Sequence, residues 1–156
     1  MRRLNKVLSV VEAPKSLSPV LIELEKLREH EGVNPKYLEE LKEEIKSDGV
    51  LKFAIAVDKN TNVILDGHHR FNALRKLECK KIPVVFVDYG SPDIVVKNGK
   101  TNEELTKSII IQAGFTQKKL PPKATNHMIR FHDGLKHISV IEKRVDISLE
   151  KLKGVN

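Results

Sequence analysis

The stretch Ile64-Leu65-Asp66-Gly67-His68-His69-Arg70 gathers a carboxylate, two imidazoles and a guanidinium at the junction of an apolar segment and an amphipathic one. Gly67 allows a tight turn, and the helix after it begins near His68. The first N–H groups of a helix have no intrahelical acceptor and lie at the positive end of its dipole. A phosphate suits such a place, and Arg70 can add a fork of charged donors. Asp66 can face a metal or a hydroxyl. The competing reading is a purely structural strand-to-helix turn with a structural aspartate and solvent-facing histidines.

The elements that must position this turn are legible on either side of it. Val63 to Leu65 reads as a buried strand, and Phe71, Leu74 and Leu77 form the apolar stripe of the helix 68–77. Phe53 to Val57 is a strand that pairs with Val63 to Leu65 as a hairpin across the polar turn 58–62. Upstream, a strand over 19–27 delivers His30 and Glu31 into a short loop, and Asn34 caps a helix with Pro35 at its first position and Gly49 at its end. Leu38, Leu41 and Ile45 are that helix's buried stripe. Downstream, Ile82 to Val87 and Ile94 to Val96 are β-branched strands, and Asn98-Gly99 is a turn. Thr101 and Glu104 are read as a capping box opening a helix that Gly114 stops near Ala113, with Leu105, Ile109 and Gln112 inward. Phe115 to Asn126, with Pro121-Pro122, reads as a long loop. Met128 to Phe131, Ile138 to Ile141 and Val145 to Leu149 are short apolar pieces suited to edge strands or a short helix.

Composition bounds the classes. With 156 residues, 40% hydrophobic and 31% charged, the chain supports one globular α+β domain over 1–156, in which 115–156 forms a C-terminal extension. No apolar run approaches the roughly 20 residues of a membrane span. The basic start, Met1 to Lys6, is followed by Glu12 and Pro14 rather than an apolar centre, so a cytoplasmic location is expected. A single cysteine, Cys79, excludes an internal disulfide and reads as a small core or helix-end residue. The net charge of +7 favours phosphorylated or polyanionic partners, but its lysines are spread along the chain. With 4% aromatic residues and no Trp there is no series of stacking platforms for single-stranded nucleic acid.

The D-G-H-H-R turn of Asp66 to Arg70 resembles the fold shared by ParB N-terminal domains and sulfiredoxin, where G-x-x-R at a helix start holds nucleotide phosphates. Within that superfamily it is most similar to the archaeal free L-serine kinases. His30-Glu31 before the helix at Asn34, and Pro121-Pro122-Lys123-Ala124-Thr125-Asn126-His127, match as well, so the resemblance spans about residues 15 to 130. It implies a ParB/sulfiredoxin-like mixed sheet with packed helices, transfer of a phosphoryl group from ADP or ATP to free L-serine, and Mg²⁺ as cofactor, a step in serine metabolism and cysteine biosynthesis. By this resemblance Glu31 is the general base that makes a hydroxyl nucleophilic, and Asp66 is catalytic and supports the metal. Gly67, His68, His69, Arg70, Lys123, Thr125, Asn126 and His127 bind the phosphates, and His30 contacts substrate or orients Glu31. In isolation Glu31 reads as a solvated surface acid and residues 121–127 as a surface loop.

The chain departs from those kinases in being shorter and in offering Lys97-Asn98-Gly99 where they place an aromatic residue. The competing function is a ParB-like nucleotide-dependent DNA-binding or partition module without kinase activity. Gly67-His68-His69-Arg70 in place of G-E-R-R, and too little chain for a helix-turn-helix domain, argue against DNA as partner. A sulfiredoxin activity is excluded because His68 stands where its reactive cysteine would be. The residues leave open the donor, the contacts to the serine carboxylate and the oligomeric state.

Overall fold

The computed structural model describes residues 17–154, so the basic start and Glu12 and Pro14 lie outside the described residues. In chain order, β1 is Val20–Glu23, α1 Pro35–Asp48, β2 Val50–Phe53, β3 Ile55–Asp58, β4 Ile64–Asp66, α2 His68–Lys76 and β5 Lys81–Val87. The second half holds β6 Ile94–Asn98, β7 Glu104–Leu105, α3 Lys107–Thr116, β8 Thr125–Phe131, β9 Gly134–His137, β10 Arg144–Ser148 and α4 Leu149–Lys153. None of the described helices is long and apolar enough to cross a membrane.

The central sheet runs β1-β5-β3-β4, mixed in sense because β3 and β5 are parallel while the other pairs are antiparallel. Both faces of its middle strands are covered, as their near-continuous apolar sequences require. Ile55, Val57, Ile64, Ile82 and Val84 pack with Leu38 and Ile45 of α1, Phe71 and Leu74 of α2 and Leu152 of α4. Ala56, Val63, Leu65, Val85 and Val87 face a second core with Val96, Ile110, Ile129, Ile138 and Ile141. The second sheet, β7-β6-β8-β9, closes that side, and β10 pairs with β2.

Helix α1 follows its expectation closely. Asn34 accepts the Tyr37 N–H at 3.0 Å, Pro35 opens the helix, and Gly49 ends it at φ 75°. The hairpin β3–β4 and the helix start at His68 also form as read.

Four expectations are corrected. The strand 19–27 stops at Glu23, because Leu24 to Lys26 winds into a 3₁₀ turn that buries both Leu24 and Leu27 in one core. The strand 53–57 is two strands, broken at Ala54, whose N–H turns to Lys143 O at 3.0 Å so that β2 leaves for β10. Thr101 and Glu104 form no capping box: Asn98 Oδ1 accepts the N–H groups of Lys100 and Thr101, Glu104 enters β7, and α3 begins only at Lys107. Gly114 lies inside α3 rather than ending it, since a Cβ there would come within 2.8 Å of Val63 Cγ2. The inward residues of α3 are consequently Ile110, Ala113 and Gly114, while Ile109 is exposed.

Candidate active site

The site is built where an extended segment is threaded between two others. Ile64 N–H donates to Arg28 O at 2.8 Å and Arg28 N–H to Asn62 O at 2.9 Å, laying residues 28–31 beside the start of β4. On the other side Leu120 N–H donates to His30 O at 2.8 Å and Gly32 N–H to Leu120 O at 2.7 Å. Glu31 is thereby brought to the end of β4, where Asp66 and the following turn emerge.

Gly67 is required by its backbone and by space. Its φ is 110°, and a Cβ would sit 2.3 Å from Ile55 Cγ2. With no side-chain cap at Gly67, the first turn of α2 leaves the N–H groups of residues 68–70 without intrahelical acceptors, which suits an anion. His69 belongs to this turn as a latch. Its Nε2 accepts Asn34 N–H at 3.0 Å and its ring meets Tyr37 edge-on at 4.7 Å, tying the turn to the start of α1. Burial lowers its pKa, so the neutral ring carries its proton on Nδ1.

Three side chains expected on the phosphates or the substrate are engaged by contacts within the protein. Arg70 directs Nη1 to Ala54 O at 2.7 Å and Nη2 to Glu142 Oε1 at 2.8 Å, with longer contacts to Phe53 O and to Asp66 Oδ2, both at 3.4 Å. Its fork holds the floor of the turn together, and the residue also lines the cleft beside Asp66. His68 is buried, and its Nε2 accepts the backbone N–H of His30 at 3.1 Å, so only its backbone belongs to the anion site. Desolvation presses its pKa well below the usual histidine range. His30 itself is fully buried, which removes it from direct substrate contact and places it behind Glu31.

The 121–127 motif divides in the same way, because Thr125 opens a strand rather than ending a loop. Alternation along β8 turns Thr125 toward Glu31, sends Asn126 outward, and buries His127 against the Tyr89 hydroxyl at 2.8 Å. Asn126 and His127 therefore do not line the cleft. Lys123 contributes its backbone: at φ 62° its N–H donates to Glu31 Oε2 at 3.1 Å. Gly99 permits that approach, since a Cβ there would lie 1.9 Å from Lys123 O.

Among the described residues Glu31 thus accepts only from neutral donors. Besides Lys123, Oε1 receives the Thr125 hydroxyl at 2.8 Å and the Thr125 N–H at 3.3 Å. Burial raises its pKa above the usual carboxylate range, and the nearby charge of Asp66 adds to the rise, against the opposing hydrogen bonds. A carboxylate with greater proton affinity, held at a cleft wall, is equipped to take a proton.

Glu142 was missed by the sequence reading. It is buried, holds Arg70, and leaves Oε2 without a hydrogen-bond acceptor role filled by any described donor. Burial pushes its pKa up to about 8, against the Arg70 guanidinium, and the neighbouring Asp66 carboxylate adds to the rise. No local pattern marks Glu142, which follows a 3₁₀ turn between β9 and β10. His137 Nε2 also stands 3.9 Å from Asp66 Oδ1.

The resulting cleft has a volume of about 230 Å³ and brings Glu31, Tyr37, Asp66, Gly67, His69 and Thr125 to one surface. Among the described residues no group of three or more acidic, histidine or cysteine side chains could cage a metal. Asp66 is a carboxylate in the cleft lining that could hold a cation. A larger cavity, about 830 Å³, is lined by Glu29, Phe71, Arg75, Cys79 and Gln117.

The ParB N-terminal domain family matches residues 5–110. An ATP-dependent L-serine kinase of Staphylothermus marinus is 37% identical over 87 residues, covering 53% of this chain and 34% of the relative. The ADP-dependent L-serine kinase SerK of Thermococcus kodakarensis is 36% identical over 86 residues, with 53% and 36% covered. A ParB-like protein of Sulfolobus acidocaldarius is 42% identical over 71 residues, 46% of this chain and 35% of that one. The chain spans about a third of the length of these curated relatives. Among solved structures, a free serine kinase mutant in complex with AMP superposes with a TM-score of 0.72 at 18% identity, over 87% of this chain and 94% of that one. The same kinase with ADP gives 0.71 at 18% identity, over the same shares. These superpositions establish the mixed-sheet α+β fold.

Proposed function

The chain belongs to the ParB N-terminal domain family, and from that premise we propose that it is a phosphotransferase that moves a phosphoryl group from ADP or ATP to the hydroxyl of free L-serine. The observation that carries this reading is Glu31: a carboxylate of raised proton affinity, cradled by neutral donors, in the same cleft as the open first turn of α2. The relatives named as L-serine kinases support it.

In this reading the donor phosphates sit on the N–H groups of residues 68–70, which Gly67 exposes and Arg70 holds in place from beneath. Glu31 takes the proton of the serine hydroxyl as its oxygen forms the new bond to phosphorus. The bond to the leaving phosphate breaks, giving O-phospho-L-serine with AMP from ADP or ADP from ATP. Asp66 would hold Mg²⁺, which would supply charge neutralisation for the transferring group. His69 offers Nδ1–H toward the cleft. Residues 115–156 act as the extension that completes the site, through Thr125, the Lys123 backbone and Glu142.

Incubation with Mg²⁺, L-serine and either ADP or ATP tests the proposal, with phosphoserine as the product sought and L-threonine and a DNA duplex as comparison ligands. Phosphoserine from one nucleotide names the donor. Its absence with both, alongside tight and salt-sensitive DNA binding, would move the protein to the nucleotide-dependent DNA-binding class.

A further inference from the structure

Three buried histidines cluster around His30, which lies behind Glu31. His30 lies edge-on to His68 with ring centroids 4.6 Å apart and to His127 at 5.7 Å. His30 Nδ1 lies 2.7 Å from Ile64 O. A carbonyl oxygen can only accept, so Nδ1 must carry the proton. Desolvation lowers the pKa of His30 to about 4, which leaves the ring neutral and Nε2 an acceptor.

That Nε2 faces Thr125 Oγ1 at 3.3 Å, while the same hydroxyl donates to Glu31 Oε1 at 2.8 Å. One hydroxyl hydrogen thus has two acceptors, one on either side. Resting on the reading of Glu31 as the base, we propose that Thr125 and His30 form a two-position hydrogen-bond relay, in which the Thr125 hydroxyl donates to Glu31 while Glu31 is charged and turns to His30 Nε2 once Glu31 has taken a proton.

In the second position Thr125 Oγ1 accepts the new O–H of Glu31, so the half-buried hydroxyl is bonded in both states. The only proton that changes its heavy atom is the one passing from the serine hydroxyl to Glu31; Thr125 keeps its own and rotates it. His30 stays neutral throughout. Both residues act through Glu31 and are positioning residues. The titratable and charged groups facing Glu31 are His30 on its own segment, Asp66 from β4, and, across the cleft, Tyr37 from α1 and His69 and Arg70 from α2. Those facing His30 are Asp66, His68 from α2 and His127 from β8.

The relay makes opposite demands on its two members, which a merely structural role would not. Thr125→Val removes the donor to charged Glu31, so the Glu31 carboxyl, followed by ¹³C NMR in the full chain, should titrate at higher pH. Turnover at neutral pH should fall about tenfold, the worth of one hydrogen bond to a charged group. Thr125→Ser should return both readouts toward the unmodified protein. His30→Phe removes the acceptor that serves protonated Glu31 and should move the titration to lower pH. Should that variant fail to fold, ¹⁵N NMR of the unmodified protein must find His30 as the Nδ1–H tautomer between pH 6 and 9.

An unmoved Glu31 titration in Thr125→Val, or an Nε2–H tautomer at His30, overturns the relay even if phosphoserine forms. Shifts of the expected sign without phosphoserine support the relay and remove the kinase reading instead.

Discussion

Glu29 and Glu31 lie two residues apart on one extended segment, yet the fold treats them as different chemical species. Glu29, lining the larger cavity, accepts Asn72 Nδ2 at 2.7 Å, Lys119 Nζ at 3.1 Å and Arg75 Nη1 at 3.3 Å. Glu31, lining the smaller cleft, has only backbone N–H groups and a hydroxyl. Cations in direct contact make a carboxylate a structural tie, while neutral donors orient it without neutralising its charge. The larger cavity therefore contains an acid already matched, and the smaller one contains an acid that can react.

Exchanging the charge for an amide at each position tests this contrast. Glu31→Gln should lower turnover by about 10²- to 10⁴-fold, the usual contribution of a positioned base, with nucleotide binding retained. Parallel assays of phosphoserine formation and nucleotide titration check it, and full turnover in the variant would end the assignment. Glu29→Gln should do the reverse, lowering stability by about 1–3 kcal/mol through loss of charge-assisted bonds while changing turnover far less. At about 2–4 °C per kcal/mol for a chain of this size, thermal unfolding resolves it.

A pH series sharpens the comparison further. Because the folded chain raises the pKa of Glu31, the stability associated with this group is fully present below the unfolded carboxylate range and declines as pH rises through the folded value. Glu31→Gln should therefore gain in stability relative to the unmodified protein on going from acid to neutral pH. Turnover should rise over the same interval as Glu31 loses its proton. The smallest expected effect is that of Lys119→Ala, about 0.2–1 kcal/mol, because this partner of Glu29 is 35% exposed and screened by water.

Legibility in the sequence followed the range of the interactions. The strand-turn-helix over Ile64 to Lys76 and the Asn34-Pro35 start of α1 are governed by neighbours in sequence, by glycine's φ and by caps, and both form as read. The capping box at Thr101 failed because Asn98, three residues earlier, claims the same N–H groups. Gly114 was misread because its smallness serves contact with Val63, 51 positions earlier in the chain, rather than a helix end. Within the site, residue types located the region but not the direction of each side chain. Arg70 turns to Glu142, 72 residues away, and strand alternation separates Thr125 from Asn126. Those pairings exist only after tertiary closure.

The donors that Glu31 receives from Lys123 and Thr125 come from 92 and 94 residues further along the chain. Closing so long a loop carries an entropic cost that grows only slowly with length, but it must be met before these bonds form. During synthesis the turn at residues 66–70 can form as soon as its strands and helix have emerged, whereas Glu31 gains its cradle only once β8 has been made. Refolding followed by turnover should consequently lag behind refolding followed by the helical signal, and a chain ending before residue 123 would carry the turn without an oriented base.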